Sequence, residues 1–255
     1  MIEEGSNFLS IVLPVFNKEC IIKENIELLT SYLSSKKYIF EILIVDDGST
    51  DKTSEIAKTL QAKYRNLIFL QCSRNKGKGY AVKKGIVDAR GKYFFYIDAD
   101  LAYSLDSFDK GLEELKEYDI VYGNRRHKDT FFRVAPQKLR YVYIRDILGR
   151  IFNIIVRKLL GISVTDTQSG FKGFRAEVAK DIFPRMKLHG FAFDIEIFVI
   201  AKILDYKEKG FPVELSYRES DESAVHLLPD SLKMFKDVIR IKFSKMLGRY
   251  LHFHS

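Results

Sequence analysis

Residues Tyr93 to Ser104 read YFFYIDADLAYS, an aromatic and apolar run that ends in Asp98, Ala99 and Asp100. An unbroken apolar run closed by polar residues is the pattern of a strand buried on both faces, and such strands belong to parallel sheets covered by helices. Outward from this stretch the same rhythm repeats. FLSIVLPVF (Phe8 to Phe16) precedes a helical pattern from about Glu19 to Ser34; EILIVDD, LIFLQ and DIVYG are further short strands, with helical patterns after Asp51, after Gly77 and after Leu105. The β-α-β alternation predicts an α/β fold with a mixed, mostly parallel, doubly wound sheet flanked by helices. Ligands of such sheets gather at the strands' carboxyl ends. Polar residues stand there in this chain: Asn17 after the first strand, Asp46, Asp47, Gly48 and Ser49 after the second, Asp98 and Asp100 after the fourth. For Ser49 to Asp51 a turn that caps the next helix explains the sequence equally well.

The chain has 255 residues, 46% of them hydrophobic, which can bury one large core or two fused ones. A boundary is expected near residue 228, with 1–228 as the main α/β unit and 229–255 as a basic amphipathic helix. Lys and Arg number 42 against 34 acids, for a formal charge of +8, so anionic partners are expected: phosphates, nucleotides, nucleic acid or an acidic membrane surface. Cys20 and Cys72 lack metal or disulfide spacing, which fits a reducing compartment. The amino-terminal MIEEGSNFLS has no apolar signal core, and no uncharged run approaches the roughly 18 residues of a spanning helix. A cytoplasmic, peripheral protein without signal peptide or transmembrane helix is therefore expected. Two segments read as basic amphipathic helices. Within a segment of about 124–165 expected to face a membrane, Tyr141, Ile144, Leu148, Ile151, Ile155 and Leu159 recur at helical spacing from Lys138 to Leu160 among Arg140, Arg145, Arg150 and Arg157, and Leu232, Phe235, Ile239, Phe243, Met246 and Tyr250 do so in the tail. Packing on the sheet or lying on an anionic bilayer both satisfy either pattern; two in one basic chain favour the bilayer. Fourteen tyrosines and the positive charge also suit a nucleic-acid binder, but the strand-end acids would repel a phosphate backbone, so no nucleic acid is expected.

The chemistry open to these residues is specific. Two carboxylates one residue apart at a strand end imply a turn that brings one or both to the crevice, and hard oxygen ligands suit Mg²⁺ or Mn²⁺ bridging to substrate phosphates. Asp98 could instead cap the helix that begins near Ser104. NKGKGYAVKKGI (Asn75 to Ile86) opens a helix with glycines and lysines, as an anion cradle would, but lacks the P-loop ending and the dinucleotide-binding glycine spacing.

Taken together and in order, IVLPVFNKE, EILIVDDGSTDKT, NKGKGYAVKKG, DADLAY, DTQSGFKGF and FAFDIEI make the chain from Phe8 to Ile241 resemble the family 2 glycosyltransferases. Within them it is most similar to the branch that glycosylates polyprenyl phosphates, the dolichyl-phosphate glucosyltransferases first and the mannosyl-phosphate synthases next. The resemblance implies the GT-A fold and an inverting transfer of a sugar, glucose from UDP-glucose before mannose from GDP-mannose, onto a polyprenyl or dolichyl phosphate. It further implies a nucleotide pocket lined by Pro14, Phe16, Asn17, Glu19, Asp46 and Asp47, with Lys76 over the nucleotide and Asp98 and Asp100 holding Mg²⁺ or Mn²⁺. Arg125, Arg145 and Asn153 match the acceptor-phosphate side, Thr167, Gln168 and Ser169 the donor-sugar side together with Asp194 and Glu196, and Arg218 a late arginine near the diphosphate. A family 2 transferase acting on a saccharide hydroxyl shares the motifs through Asp100, and there Asp194 or Glu196 would serve as base.

Two positions depart from the patterns that the resemblance leads one to expect. Ala102 stands where mannosyl-phosphate synthases tend to have Gln, which tilts the donor toward glucose, and Ser223 is followed by Ala224 where Ser-Lys is usual. Many relatives continue into spanning helices; here anchoring is expected to be peripheral, lipid-dependent or through a separate membrane subunit.

Overall fold

The computed structural model describes residues 8–135, 139–217 and 227–251. Strands β1 (Phe8–Val15), β2 (Ile39–Asp46), β3 (Leu67–Gln71), β4 (Tyr93–Ile97), β5 (Ile120–Gly123), β7 (Phe171–Arg175) and β8 (Glu208–Phe211) form one sheet in the order β3-β2-β1-β4-β7-β5-β8. The half containing β3, β2, β1 and β4 is parallel, each crossover being a helix: α1 (Ile22–Ser35), α2 (Thr53–Lys63) and α3 (Lys78–Asp88). The alternating runs impose this, since β1, β2 and β4 bury side chains on both faces and need helices on both sides.

Past β4 the pattern changes. After α4 (Ser107–Glu114) and β5, strand β7 enters between β4 and β5, antiparallel to both, and β8 pairs parallel with β5. A second ladder joins β6 (Phe131–Val134) in parallel to β9 (Glu214–Tyr217). The mixed, mostly parallel sheet is thus as the sequence indicates, while β7 was not legible as a strand. Two apolar layers result. One includes Val12, Leu43, Phe94, Tyr96, Phe174 and Phe198 under α3, α6 (Ala176–Arg185) and α7 (Phe193–Ile203). The other includes Ile11, Ile44, Phe95, Phe108 and Phe171 under α1, α2 and α4.

Helices α5 (Leu139–Leu160) and α8 (Leu227–Met246) pack on each other. Val156, Leu160, Val238 and Ile241 face the core, while Tyr143 (68% exposed), Leu148, Ile151 and Ile154 on α5 and Phe235, Phe243 and Met246 (71% exposed) on α8 do not. The side chains of Tyr141, Ile144, Arg145 and Leu232 lie outside the described residues. Tyr250, grouped by the sequence with that apolar face, is buried in the core, and its hydroxyl donates to Glu196 Oε1 at 2.8 Å. No described helix is long and apolar enough to cross a membrane.

One buried carboxylate ties the sheet centre together. Glu41 Oε1 accepts the Ser10 hydroxyl of β1 at 2.6 Å and the Arg90 amide before β4 at 2.7 Å. Glu41→Ala strands these donors and should cost about 2 kcal/mol, read as a lowered urea midpoint with unchanged m value.

Candidate active site

The ends of β1 and β2 are sewn together by loop hydrogen bonds. Asn17, in the left-handed region at φ 50°, accepts the Thr50 amide on Oδ1 at 2.9 Å, and its own amide donates to Ser49 Oγ at 2.9 Å. Glu19 Oε2 accepts the Lys52 amide at 2.9 Å. Asp46 is fully buried: its Oδ1 accepts the amide and hydroxyl of Ser49 at 2.9 and 2.5 Å, and its Oδ2 accepts the Ser54 hydroxyl. Pro14 is partly buried in β1 and Phe16 exposed just past it. An open depression of about 690 Å³ beside this loop is lined by Glu19, Ser49 to Lys52, Ser54, Glu55, Lys58 and Gln71, and neither Asp98 nor Lys78 is among its walls.

Asp47 reaches the other way. Its two oxygens accept the amides of Lys76 at 2.9 Å and Gly77 at 2.7 Å, so the loop that opens α3 is pinned to the end of β2. Burial pushes the Asp47 carboxyl up, and these two amides oppose that rise. Gly77 sits at φ 104°, where a Cβ would meet the His189 carbonyl oxygen at 2.5 Å, so the tight approach requires glycine. Lys76 extends outward with Nζ 3.1 Å from the Tyr80 hydroxyl.

The fixed loop delivers Lys78, whose Nζ lies 2.5 Å from Asp98 Oδ1; their side chains are 18% and 37% exposed. Burial alone would pull the ammonium down, but the charges of Asp98 and Asp194 outweigh it and hold its pKa above the usual lysine value. The turn carrying Asp98 is braced from both sides. Asn25 of α1 donates to the Ala99 carbonyl at 2.8 Å, the Ala102 amide donates to Asp100 Oδ1 at 3.1 Å, and the Asp98 amide donates to the Gly170 carbonyl at 3.1 Å. A Cβ on Gly170 would stand 2.2 Å from Asp98 Oδ2. Asp98 therefore forms no helix cap; α4 begins at Ser107.

Behind this turn lies a buried ion pair. Lys172 of β7, fully buried, donates from Nζ to Asp194 Oδ1 at 2.6 Å and to the Ser169 carbonyl at 2.7 Å, and the Tyr96 hydroxyl donates to the same Asp194 oxygen. Burial pulls the Lys172 ammonium down against the attraction of Asp194, and burial pushes the Tyr96 phenol well up. Glu196, also buried, accepts the Lys187 and Leu188 amides and the Tyr250 hydroxyl, and burial raises its carboxyl. Both acids of FAFDIEI thus serve internal partners.

On the far side of Gly170, Arg125 is bidentate to the buried Asp166, Nε to Oδ2 at 2.8 Å and Nη2 to Oδ1 at 2.7 Å, with a further bond to the Gln168 carbonyl at 3.0 Å. Arg125 accordingly holds the carboxylate of Asp166 below its usual range, against the rise that burial alone would cause. Asn153 of α5 donates to Thr167 Oγ1 at 3.2 Å, and Thr167 and Ser169 are buried; Gln168 Nε2 faces Met234 Sδ of α8 at 3.7 Å. Backbone of Arg145 lies on α5, its side chain outside the described residues, as is the whole of Arg218. Asn25, Lys78, Asp166 and Lys172 shape the candidate site, and so does Tyr103, whose hydroxyl accepts the Gly170 amide at 3.0 Å; the sequence motifs assign a role to none of the five.

Asp98 and Asp100 offer hard oxygens on an accessible turn, and among the described residues no third acidic, histidine or cysteine ligand joins them in a cluster. Two carboxylates completed by waters and substrate phosphates suit Mg²⁺ or Mn²⁺, which rarely take an all-protein cage.

The chain itself matches a known family. Residues 10–183 match the glycosyl transferase family 2 domain, and the chain belongs to that family. It is 33% identical over 94% of its length to 76% of a dolichyl-phosphate beta-glucosyltransferase of Dictyostelium discoideum, and 32% identical over 95% to 76% of the Saccharomyces cerevisiae protein of that name. Among solved structures it resembles glucosyl-3-phosphoglycerate synthase from Mycobacterium tuberculosis, crystallised with Mn²⁺, UDP-glucose and phosphoglyceric acid, with a TM-score of 0.62, 19% identity, and coverage of 98% of this chain and 82% of that one. The fold is therefore that of the GT-A glycosyltransferases.

Gly170→Ala should displace the Asp98 carboxylate by close to an ångström and lower kcat by about a hundredfold. Steady-state kinetics beside a thermal melt close to that of the unsubstituted protein will check it.

Proposed function

We propose that this protein transfers glucose from UDP-glucose to a dolichyl or related polyprenyl phosphate with inversion at the anomeric carbon. The observation that carries the reading is the convergence of three strand ends on one edge. Asn17 and Glu19 interlock with the Asp46 loop, Asp47 fixes the loop of Lys76 and Lys78, and Lys78 meets Asp98. The names of the relatives supply the glucosyl group and the dolichyl phosphate, and the solved neighbour crystallised with UDP-glucose supplies the donor. Pro14, Phe16, Asn17, Glu19 and Lys76 would border the nucleotide, while Asp46 and Asp47 act on it through the loops that they hold.

Asp98 and Asp100 would hold Mg²⁺ or Mn²⁺, which when bound offsets negative charge developing on the departing nucleoside diphosphate. The acceptor's phosphate oxygen is already ionised near neutral pH. It attacks the anomeric carbon as the bond to UDP breaks, and no proton has to be removed. A hydroxyl acceptor would need a base, but Asp194 and Glu196 are committed to Lys172, Tyr96, Tyr250 and backbone amides. The phosphate acceptor is thus favoured, and the protein's work is mainly positioning. Arg125 acts here by holding Asp166 and the Gln168 carbonyl, which shapes the segment beside Asp98; Arg145 and Arg218 are retained as phosphate-side residues on the family pattern alone.

The exposed apolar faces of α5 and α8, in a chain of charge +8, fit a peripheral position on the cytoplasmic face of an anionic membrane, where a lipid phosphate is presented. A separate membrane subunit would serve the same end.

The test is a donor screen against a short polyprenyl phosphate with Mg²⁺ or Mn²⁺, scored by radiolabel entering the organic phase. UDP-glucose is expected to label the lipid and EDTA to abolish it. Labelling by GDP-mannose alone would overturn the donor assignment, and unchanged turnover in EDTA would remove the metal.

A further inference from the structure

We infer that Lys78 is the resident counter-cation of Asp98, and that it makes divalent-ion binding depend on nucleotide binding. The inference rests on the reading of Asp98 as a metal-side acid and adds a residue that no family signature above assigns to metal control.

Three features of the structure carry it. Lys78 Nζ lies 2.5 Å from Asp98 Oδ1, in direct competition with any cation that would use that oxygen. Its position is imposed, because Lys78 is the first residue of α3 and the two amides before it are fixed by Asp47, while the Gly79 amide donates to the His189 carbonyl at 2.8 Å. Of the other acids nearby, Asp100 belongs to the same candidate ion site, and Asp194 is already served by Lys172 at 2.6 Å and by Tyr96, so it offers the displaced ammonium only a shared partner.

The charges decide the consequence. Asp98, Asp100 and Asp194 face Lys78 and Lys172, for a formal sum of about −1 before any ion binds. A divalent cation arriving alone must take Asp98 from the ammonium and leave that ammonium, only 18% exposed, close to two further positive charges. Arriving with a nucleoside diphosphate, the same cation brings an anion with which Lys78 can pair. Ion and nucleotide then bind together more tightly than either alone, and by linkage each raises the other's affinity by the same factor. Lys78 is a positioning residue in this scheme, acting on Asp98 when the site is empty and on the charge balance when it is filled.

The experiment measures Mn²⁺ affinity by electron paramagnetic resonance, with and without UDP, after correction for the UDP–Mn²⁺ complex in solution, on the wild type, Lys78→Met and Lys78→Arg. In the wild type UDP is expected to tighten Mn²⁺ binding by about tenfold or more. Lys78→Met, isosteric and neutral, should bind Mn²⁺ alone about tenfold more tightly than the wild type and show a smaller gain from UDP. Lys78→Arg should retain the weak ion-only binding. Equal Mn²⁺ affinity with and without UDP in the wild type overturns the inference whether or not a variant folds, as does a Lys78→Met protein that binds Mn²⁺ alone no better than the wild type. If the wild type takes no Mn²⁺ even with UDP, the metal reading of Asp98 and Asp100 falls, and this inference with it.

Discussion

A carboxylate at the carboxyl end of a buried strand has to be held against two opposing demands, solvent access for a ligand and partners strong enough to fix its direction. Asp98 meets both. Lys78 at 2.5 Å balances its charge, its own amide is tied to the Gly170 carbonyl, and the missing side chain at Gly170 leaves room for Oδ2. Much of the surrounding structure follows from that arrangement. Asp47 fixes the loop that delivers Lys78, Asn25 steadies Ala99 between the two acids, and the antiparallel entry of β7 beside β4 brings Gly170 to the turn. Extending a purely parallel sheet past β4 would call for another crossover helix and would lack this register between Ile97 and Phe171.

The ionised groups fall into two sets by what they touch. Lys172 with Asp194, the partly exposed Arg125 with the buried Asp166, and Glu196 with Tyr250 are mutually satisfied, which suits them to holding segments and not to exchanging protons. Asp98, Lys78 and Asp100 stand at the accessible edge. A transfer to an already ionised phosphate requires little more than such an edge, because charge placement and not proton removal limits the step. The same division explains why Arg125, an arginine in a segment expected to grip a lipid phosphate, spends its fork on Asp166.

The parallel half of the fold was legible because its strands are continuous apolar runs, and the strand-end acids were legible because position on the sheet edge follows from the strands. Other parts depend on partners distant in sequence. FKGFR does not read as a strand, since glycine and lysine interrupt the run; Lys172 can be buried there only because Asp194, on a later helix, meets it. Asp166 lies 41 residues from Arg125, and no spacing rule links the two. The sequence does not separate Lys78 from Lys76, since both stand among glycines in one motif, and only the turn imposed by Asp47 decides which of them points at Asp98. Helical periodicity groups Tyr250 with Phe243 and Met246, which are exposed, and only the contact of its hydroxyl with Glu196, distant in sequence, sets Tyr250 apart in the interior.

The proposed reaction is a single in-line displacement on a sugar held at the Asp98 turn. Its most direct test is the anomeric configuration of the first lipid product made from UDP-α-glucose, read from its proton and phosphorus couplings by nuclear magnetic resonance. One displacement by a lipid phosphate predicts a β-glucosyl phosphate; an α-linked product would contradict it.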